Sequence, residues 1–157
     1  GVIGVSSVGK NGQVSSFSNY GKGVDIAAPG VGVLTAWEFQ EMVSFSGTSV
    51  STAIVSASIA AELSNDPNLT SHDAEDLLMR HANESGRPGY DLIAGHGILS
   101  LGRLENRKNK NYSDPALVGY YFGESGVISG TVPFEVIIQN QGNTCKIESI
   151  HIKLFLV

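Results

Sequence analysis

The sequence predicts an α/β fold, a parallel sheet with a buried helix packed on it, followed by an all-β segment. Three observations carry this. Short apolar runs of strand type stand at residues 2–8, 24–28, 32–37 and 42–45. The last leads through a glycine turn into residues 50–63, where only Glu62 is charged and Val, Ile, Ala, Leu, Ser and Thr fill every face. A helix that is apolar or small all round belongs inside a protein. Beyond Glu105 the helical spacing ends and strand-like runs take over. Strand, turn and buried helix in that order is the arrangement of a helix-covered parallel sheet.

The elements follow in order. Residues 10–13 contain an Asn-Gly turn signal, and Pro29-Gly30 separates the second and third strands. A second helix starts near Thr70, which can cap it. Asp73 then falls at the third helical position, favourable at the positive end of the dipole. Ala74, Leu77, Leu78 and His81 give helical spacing, and Gly86 and Pro88 end it. Residues 98–104 predict a short final helix. Residues 106–113 are polar and without apolar period, so they read as a linker. After it, 116–122, 132–139 and 147–157 are strand-like, with turns at 123–130 and 140–143.

The candidate chemistry lies at the strand-to-helix turn. Ser49 stands in Ser46-Gly47-Thr48-Ser49, where unpaired backbone N–H groups and the positive end of the helix dipole favour a developing anion. Residues 47–57 resemble the nucleophile motif of the subtilisin-like serine proteases. Gly47-Thr48-Ser49 and Val55 match the family pattern. Val50, Ala53, Ile54 and Ala57 replace its usual Met, Pro, His and Gly, none of which performs the chemistry. Upstream, Ser15-Ser16-Phe17-Ser18-Asn19-Tyr20-Gly21 and Val24-Asp25-Ile26-Ala27-Ala28-Pro29-Gly30 resemble the family in order and spacing. Downstream, residues 69–81 and Gly95-His96-Gly97-Ile98-Leu99 resemble its closing helix and final Gly-x-Gly segment. The resemblance covers residues 2–105. Pro133 to Gly142 resembles a strand of the immunoglobulin-like modules that follow many secreted proteases. The division implied is 1–105, the C-terminal part of a subtilisin-like domain, 106–113, a linker, and 114–157, a truncated β-module.

The resemblance implies a serine endopeptidase acting through an acyl-enzyme, with Ser49 as nucleophile and its N–H as oxyanion donor. Thr48 is either a hydroxyl support for the oxyanion or a turn residue. Phe45, Ser46 and Gly47 stand where the family lines the substrate cleft on the leaving-group side, although strand-end packing accounts equally for Phe45. The triad of this family runs Asp, His, Ser along the chain. Residues 1–48 hold no histidine and one aspartate, Asp25, which does not match the catalytic position. The chain therefore reads as a C-terminal piece whose partner is the N-terminal part of the same domain, and which is inactive alone. His72, His81, His96 and His151 follow Ser49, an order that suits α/β-hydrolases, but Ser51 stands where a Gly-x-Ser-x-Gly elbow needs glycine. The competing reading is a non-catalytic secreted recognition module with a degenerate protease domain.

Composition narrows the classes. Of the 157 residues 41% are hydrophobic and only 16% charged, and 19 glycines suit a tight core with many turns. The net charge of -5 argues against nucleic acid as a partner. No apolar run is long enough to span a membrane. The lone Cys145 allows no internal disulfide, and no Cys/His cluster has zinc-ligand spacing. Asn68, Asn83 and Asn111 begin glycosylation sequons. No cofactor is visible. Calcium and an extracellular location are implied by the resemblance alone.

Overall fold

The computed structural model describes residues 1–85, 89–122 and 134–143. The predicted strand at 147–157, the turn at 123–130, Gly86, Pro88, Cys145 and His151 lie outside the described residues.

Strand β1 (Val5–Val8) pairs in parallel with β2 (Ile26–Pro29), Val5 opposite Ile26 and Val8 opposite Pro29. The segment around residues 95–98 continues the layer beside β2. There Ala27 N–H donates to the Gly97 carbonyl and Leu99 N–H to the Ala27 carbonyl, at 2.9 and 2.8 Å. Gly95 and Gly97 both have positive φ, and a Cβ on either would collide with backbone, of Asp25 and of Asn83 respectively. The close backbone approach requires glycine at both.

Helix α1 (Thr48–Asn65) packs on this layer, with α2 (Ser71–Arg80) against it. Ser51, Val55, Ser58 and Glu62 form its buried stripe at helical spacing. Val55 meets Ile26, Ala28, Leu78, Ala82, Leu99 and Leu104 in the main core. The opposite face, with Ala53, Ala57, Ala60 and Ala61, is exposed. The sequence expectation of a helix buried all round is thus met on one face among the described residues.

Thr70 caps α2 as expected. Its hydroxyl oxygen accepts from the Asp73 N–H, and the Asp73 carboxylate accepts from the Thr70 N–H at 3.0 Å. The Thr70 hydroxyl also donates to the Asp73 carboxylate at 2.6 Å, and this bond first, then the one from the Thr70 N–H, holds the Asp73 carboxyl below its ordinary range. A depressed carboxyl pKa means that this support is present at neutral pH and is lost as pH falls through that pKa.

One expectation is corrected. β3 (Val33–Ala36) and β4 (Met42–Phe45) do not join the parallel sheet but form an antiparallel hairpin, Val33 opposite Phe45 and Ala36 opposite Met42. The reason lies in the connection. Only five residues join them, and a parallel pair needs a crossover of a dozen or more. The polar stretch read as a linker carries hydrogen bonds of its own. The last helix, α3 (Leu101–Asn106), reaches into it. Asn143 donates to the Asn106 and Asn109 carbonyls, and Arg103 Nε donates to the Gln141 carbonyl at 2.9 Å. Beyond it β5 (Pro115–Phe122) pairs antiparallel with β6 (Phe134–Asn140).

The hairpin closes on Glu38-Phe39-Gln40-Glu41, with Glu41 N–H donating to the Glu38 carbonyl at 3.2 Å. Phe39 and Gln40 both have positive φ, 56° and 66°. That is the geometry of a primed hairpin turn, which ordinarily selects Asn-Gly. Each L-residue held there costs about 1 kcal/mol.

Candidate active site

β4 runs directly into the turn that presents Ser49, so that turn is anchored by the hairpin on one side and by α1 on the other. Beneath it sits Gly30, one residue past β2. Gly47 N–H donates to the Gly30 carbonyl at 2.8 Å, and Gly30 N–H donates to the Val8 carbonyl at 3.0 Å. A Cβ on Gly30 would collide with the hydroxyls of Ser51 and Ser7 and close to 2.9 Å of the Gly47 carbonyl. The strand end and the turn can approach this closely only over glycine.

Side-chain hydroxyls complete the anchorage. The fully buried Ser51 donates to the Ala28 carbonyl at 2.9 Å, tying the first turn of α1 to β2. Ser46 Oγ accepts from the Gly32 N–H at 2.9 Å. Ser7 Oγ lies 3.0 Å from Ser15 Oγ, and Ser7 N–H donates to Ser18 Oγ at 3.0 Å. The Ser15–Ser18 segment thereby locks β1 in place below the turn.

Ser49 itself is exposed and Thr48 half-buried. Val50 N–H donates to the Gly47 carbonyl at 3.1 Å. Neither the Ser49 N–H nor its hydroxyl has a hydrogen-bond partner among the described residues. A free N–H at the start of an 18-residue helix is a ready donor to an anion. A Cβ on Gly47 would meet only the Ser49 nitrogen, at 3.9 Å. Its bareness leaves that N–H uncovered rather than relieving a clash. Phe45 and Ser46 are exposed beside the turn. Ser49, Phe45, Val50 and Ala53 share a cleft of about 460 Å³ with the hairpin residues Leu34 and Trp37.

The histidines stand elsewhere. His96 packs edge-to-face on Tyr90, ring centres 5.4 Å apart, while its backbone N–H donates to the Asp25 carbonyl. His81 Nδ1 lies 2.8 Å from the Leu77 carbonyl, and His72 faces Glu75 at 3.8 Å. Asp25 accepts from the Gly4 N–H at 2.7 Å, a backbone clamp. Among the described residues no three His, Cys, Asp or Glu side chains converge on one point. No helix among the described residues is long and apolar enough to cross a membrane.

Sequence reasoning singles out Ser46, Gly47, Thr48 and Ser49 but misses Gly30, Ser51 and Ser7. Ser51 is legible in principle, as the first member of the 51-55-58-62 stripe. Gly30 and Ser7 depend on a crossing that no local pattern shows.

Comparison with known proteins places these residues in context. The model of the subtilase family matches residues 1–97. A thermostable alkaline protease of Halalkalibacterium halodurans is 36% identical over 103 residues, 66% of this chain and 28% of that protein. A halolysin-like extracellular serine protease of Natrialba magadii is 35% identical over 85 residues, 54% of this chain and 16% of that protein. Among solved structures, the CspB protease of Clostridium perfringens superposes with a TM-score of 0.63 at 29% identity, over 71% of this chain and 28% of that one. The chain thus spans less than a third of each of these relatives' length.

Proposed function

Because this chain belongs to the subtilase family, we propose that it carries the nucleophile and part of the oxyanion site of a serine endopeptidase. The observation that carries this is Ser49, exposed at the start of α1 with its own N–H free beside it. In the reaction the Ser49 hydroxyl attacks the peptide carbonyl carbon and loses its proton to a general base. The carbonyl oxygen gains negative charge and takes a hydrogen bond from the Ser49 N–H. The Thr48 hydroxyl adds support from the same turn. Collapse to an acyl-enzyme expels the amine, and water then releases the acid. We place the base and its orienting carboxylate in a preceding part of the same protease domain, as the Asp-His-Ser order of the family requires. Residues 114–157 are read as the start of a β-module, supported by the antiparallel pairing of β5 with β6. An extracellular setting is supported by the Natrialba magadii relative, which is named as extracellular.

A serine-directed phosphonate tests this. Ser49 of the 157-residue chain alone should remain unlabelled. Joined to the preceding part of its own domain, the chain should be labelled at Ser49. Labelling of the lone chain would mean a base among its own residues. No labelling after reassembly would favour the non-catalytic recognition module.

The bareness of Gly47 gives a sharper check. Gly47→Ala meets no clash, so its denaturation midpoint should stay near that of the parent sequence. The methyl group would stand over the Ser49 N–H, and kcat of the complete enzyme should fall about 10²-fold, the scale of losing one oxyanion donor. A loss of stability with no loss of kcat would assign Gly47 to the backbone alone.

A further inference from the structure

The turn after β1 holds the one Asn-Gly step of the sequence, Asn11-Gly12; every other asparagine is followed by a larger residue. Asn11 is exposed, and Gly12 has a φ of 73° and no side chain to shield its nitrogen. Two bonds hold the Asn11 amide. Its Oδ1 accepts from the Gln13 N–H at 3.1 Å, and its Nδ2 donates to Gln13 Oε1 at 3.0 Å. The first draws electron density toward Oδ1 and would steady negative charge developing there, leaving the amide carbon Cγ more open to attack. The Gly12 N–H donates to the Gly9 carbonyl at 3.0 Å. Lys10, Asn11 and Gln13 are exposed around that bond, so it opens locally without unfolding the core.

We propose that Asn11 is a site of spontaneous deamidation and isomerisation, and that the isomerised product loosens the support of the Ser49 turn. The Gly12 nitrogen attacks Asn11 Cγ, a C–N bond forms, the Cγ–Nδ2 bond breaks, and the proton given up by Gly12 leaves with the amide as ammonia. Water then opens the cyclic imide at one carbonyl to give aspartate, or at the other to give isoaspartate, whose main chain runs through the side-chain carbons. The step needs only water and holds whether or not Ser49 is a nucleophile. Its consequence follows from a relay of backbone bonds. Gly9 N–H donates to the Gln13 carbonyl at 2.9 Å across the turn, and Val8 bridges Val14 beside it. The Val8 carbonyl accepts from Gly30 N–H at 3.0 Å, and the Gly30 carbonyl accepts from Gly47 N–H at 2.8 Å, two residues before Ser49. Aspartate leaves the length of the turn unchanged and still accepts from the Gln13 N–H. Isoaspartate adds a carbon to the main chain between Gly9 and Gln13, so the closing bonds of the turn and the end of β1 no longer fit together.

The complete enzyme, carrying Ser49→Ala to prevent self-digestion, would be aged at mildly alkaline pH in heavy-oxygen water and mapped by mass spectrometry. Label should enter residue 11 about tenfold faster than any other asparagine, with isoaspartate the larger share. The aged protein should melt a few degrees lower and exchange the Gly30 and Gly47 amide hydrogens faster. Asn11→Ser should block both changes, because its hydroxyl can still accept from the Gln13 N–H but it has no amide to lose. Freshly made Asn11→Asp should melt near the parent. A blocked Gly-Lys-Asn-Gly-Gln peptide reports the unconstrained rate. A rate in the protein more than about a hundredfold below that of the peptide would mean that the Gly9 bond protects Asn11, and would overturn the site. Labelling of residue 11 with unchanged melting and unchanged exchange at Gly30 and Gly47 would overturn its link to the Ser49 turn. So would Asn11→Asp melting as low as the aged protein, since the added charge and not the lengthened main chain would then be the cause.

Discussion

Replacing Ser49 by alanine is expected to lower kcat of the complete enzyme by about 10⁶ while leaving KM within a few-fold. That size is the one known for the corresponding serine of subtilisin, a member of the same family. The geometry of this chain explains why the loss should fall on kcat. Ser49 Oγ is exposed and takes no part in the hydrogen bonds that hold its turn, which run through Gly47, Ser46 and Ser51. Alanine is also an excellent helix former, so α1 should begin at the same place. The N–H of residue 49 survives the substitution, and with it the donor to the oxyanion. Some activity above that of water should therefore persist. Progress curves on a peptide substrate, with a melting curve as control, would check it. A fall of only tenfold, or an equal fall in stability, would mean that Ser49 is a helix-cap residue.

Much of this site is legible in the sequence because its logic is local. A strand, a glycine and a serine before an uncharged helix specify a turn whose N–H groups are free, and 42–45 and 48–65 form at those positions. The Thr70–Asp73 cap is a four-residue pattern and is equally plain. What the sequence hides depends on distant pairs. Gly30 is glycine because Ser7, Ser51 and Gly47 converge on it from three segments. Apolar content does not tell a strand in a parallel sheet from one in a hairpin, so β3 and β4 read as members of the wrong sheet. The polar residues after Glu105 look like solvent-exposed linker when only their own neighbours are considered. Arg107 finds its partner 45 positions earlier in the chain, on α1.

That partner sets the largest stability effect we expect. Arg107 Nη2 lies 2.7 Å from Glu62 Oε2, with the side chains 17% and 8% exposed, and Nη1 donates to Glu62 Oε1 at 3.3 Å. The contact is an ion pair with one hydrogen bond, from Nη1 to Oε1; Oε2 lies at ion-pair distance but takes no hydrogen bond. Glu62 is the lone charge on the buried stripe of α1, so no other cation on that helix can take over. Arg107→Ala would leave a carboxylate buried without a counter-charge. Breaking such a pair from one side costs about 3 kcal/mol or more, because desolvation of the remaining ion is no longer offset. Arg107→Lys should recover only part of this, since a buried ammonium is a compact, strongly hydrated charge that costs more to desolvate than a guanidinium. The double change Glu62→Leu with Arg107→Met removes both charges and keeps the bulk, and it should return stability to near the starting value. Because the pair is buried, added salt should change these differences little. Urea unfolding of the parent and the three variants would measure them. If Arg107→Ala lies within about 0.5 kcal/mol of the parent, the range of ordinary surface changes, then α1 is not anchored by this residue. The double change would then be the less stable protein, through the disturbed packing of α1 alone.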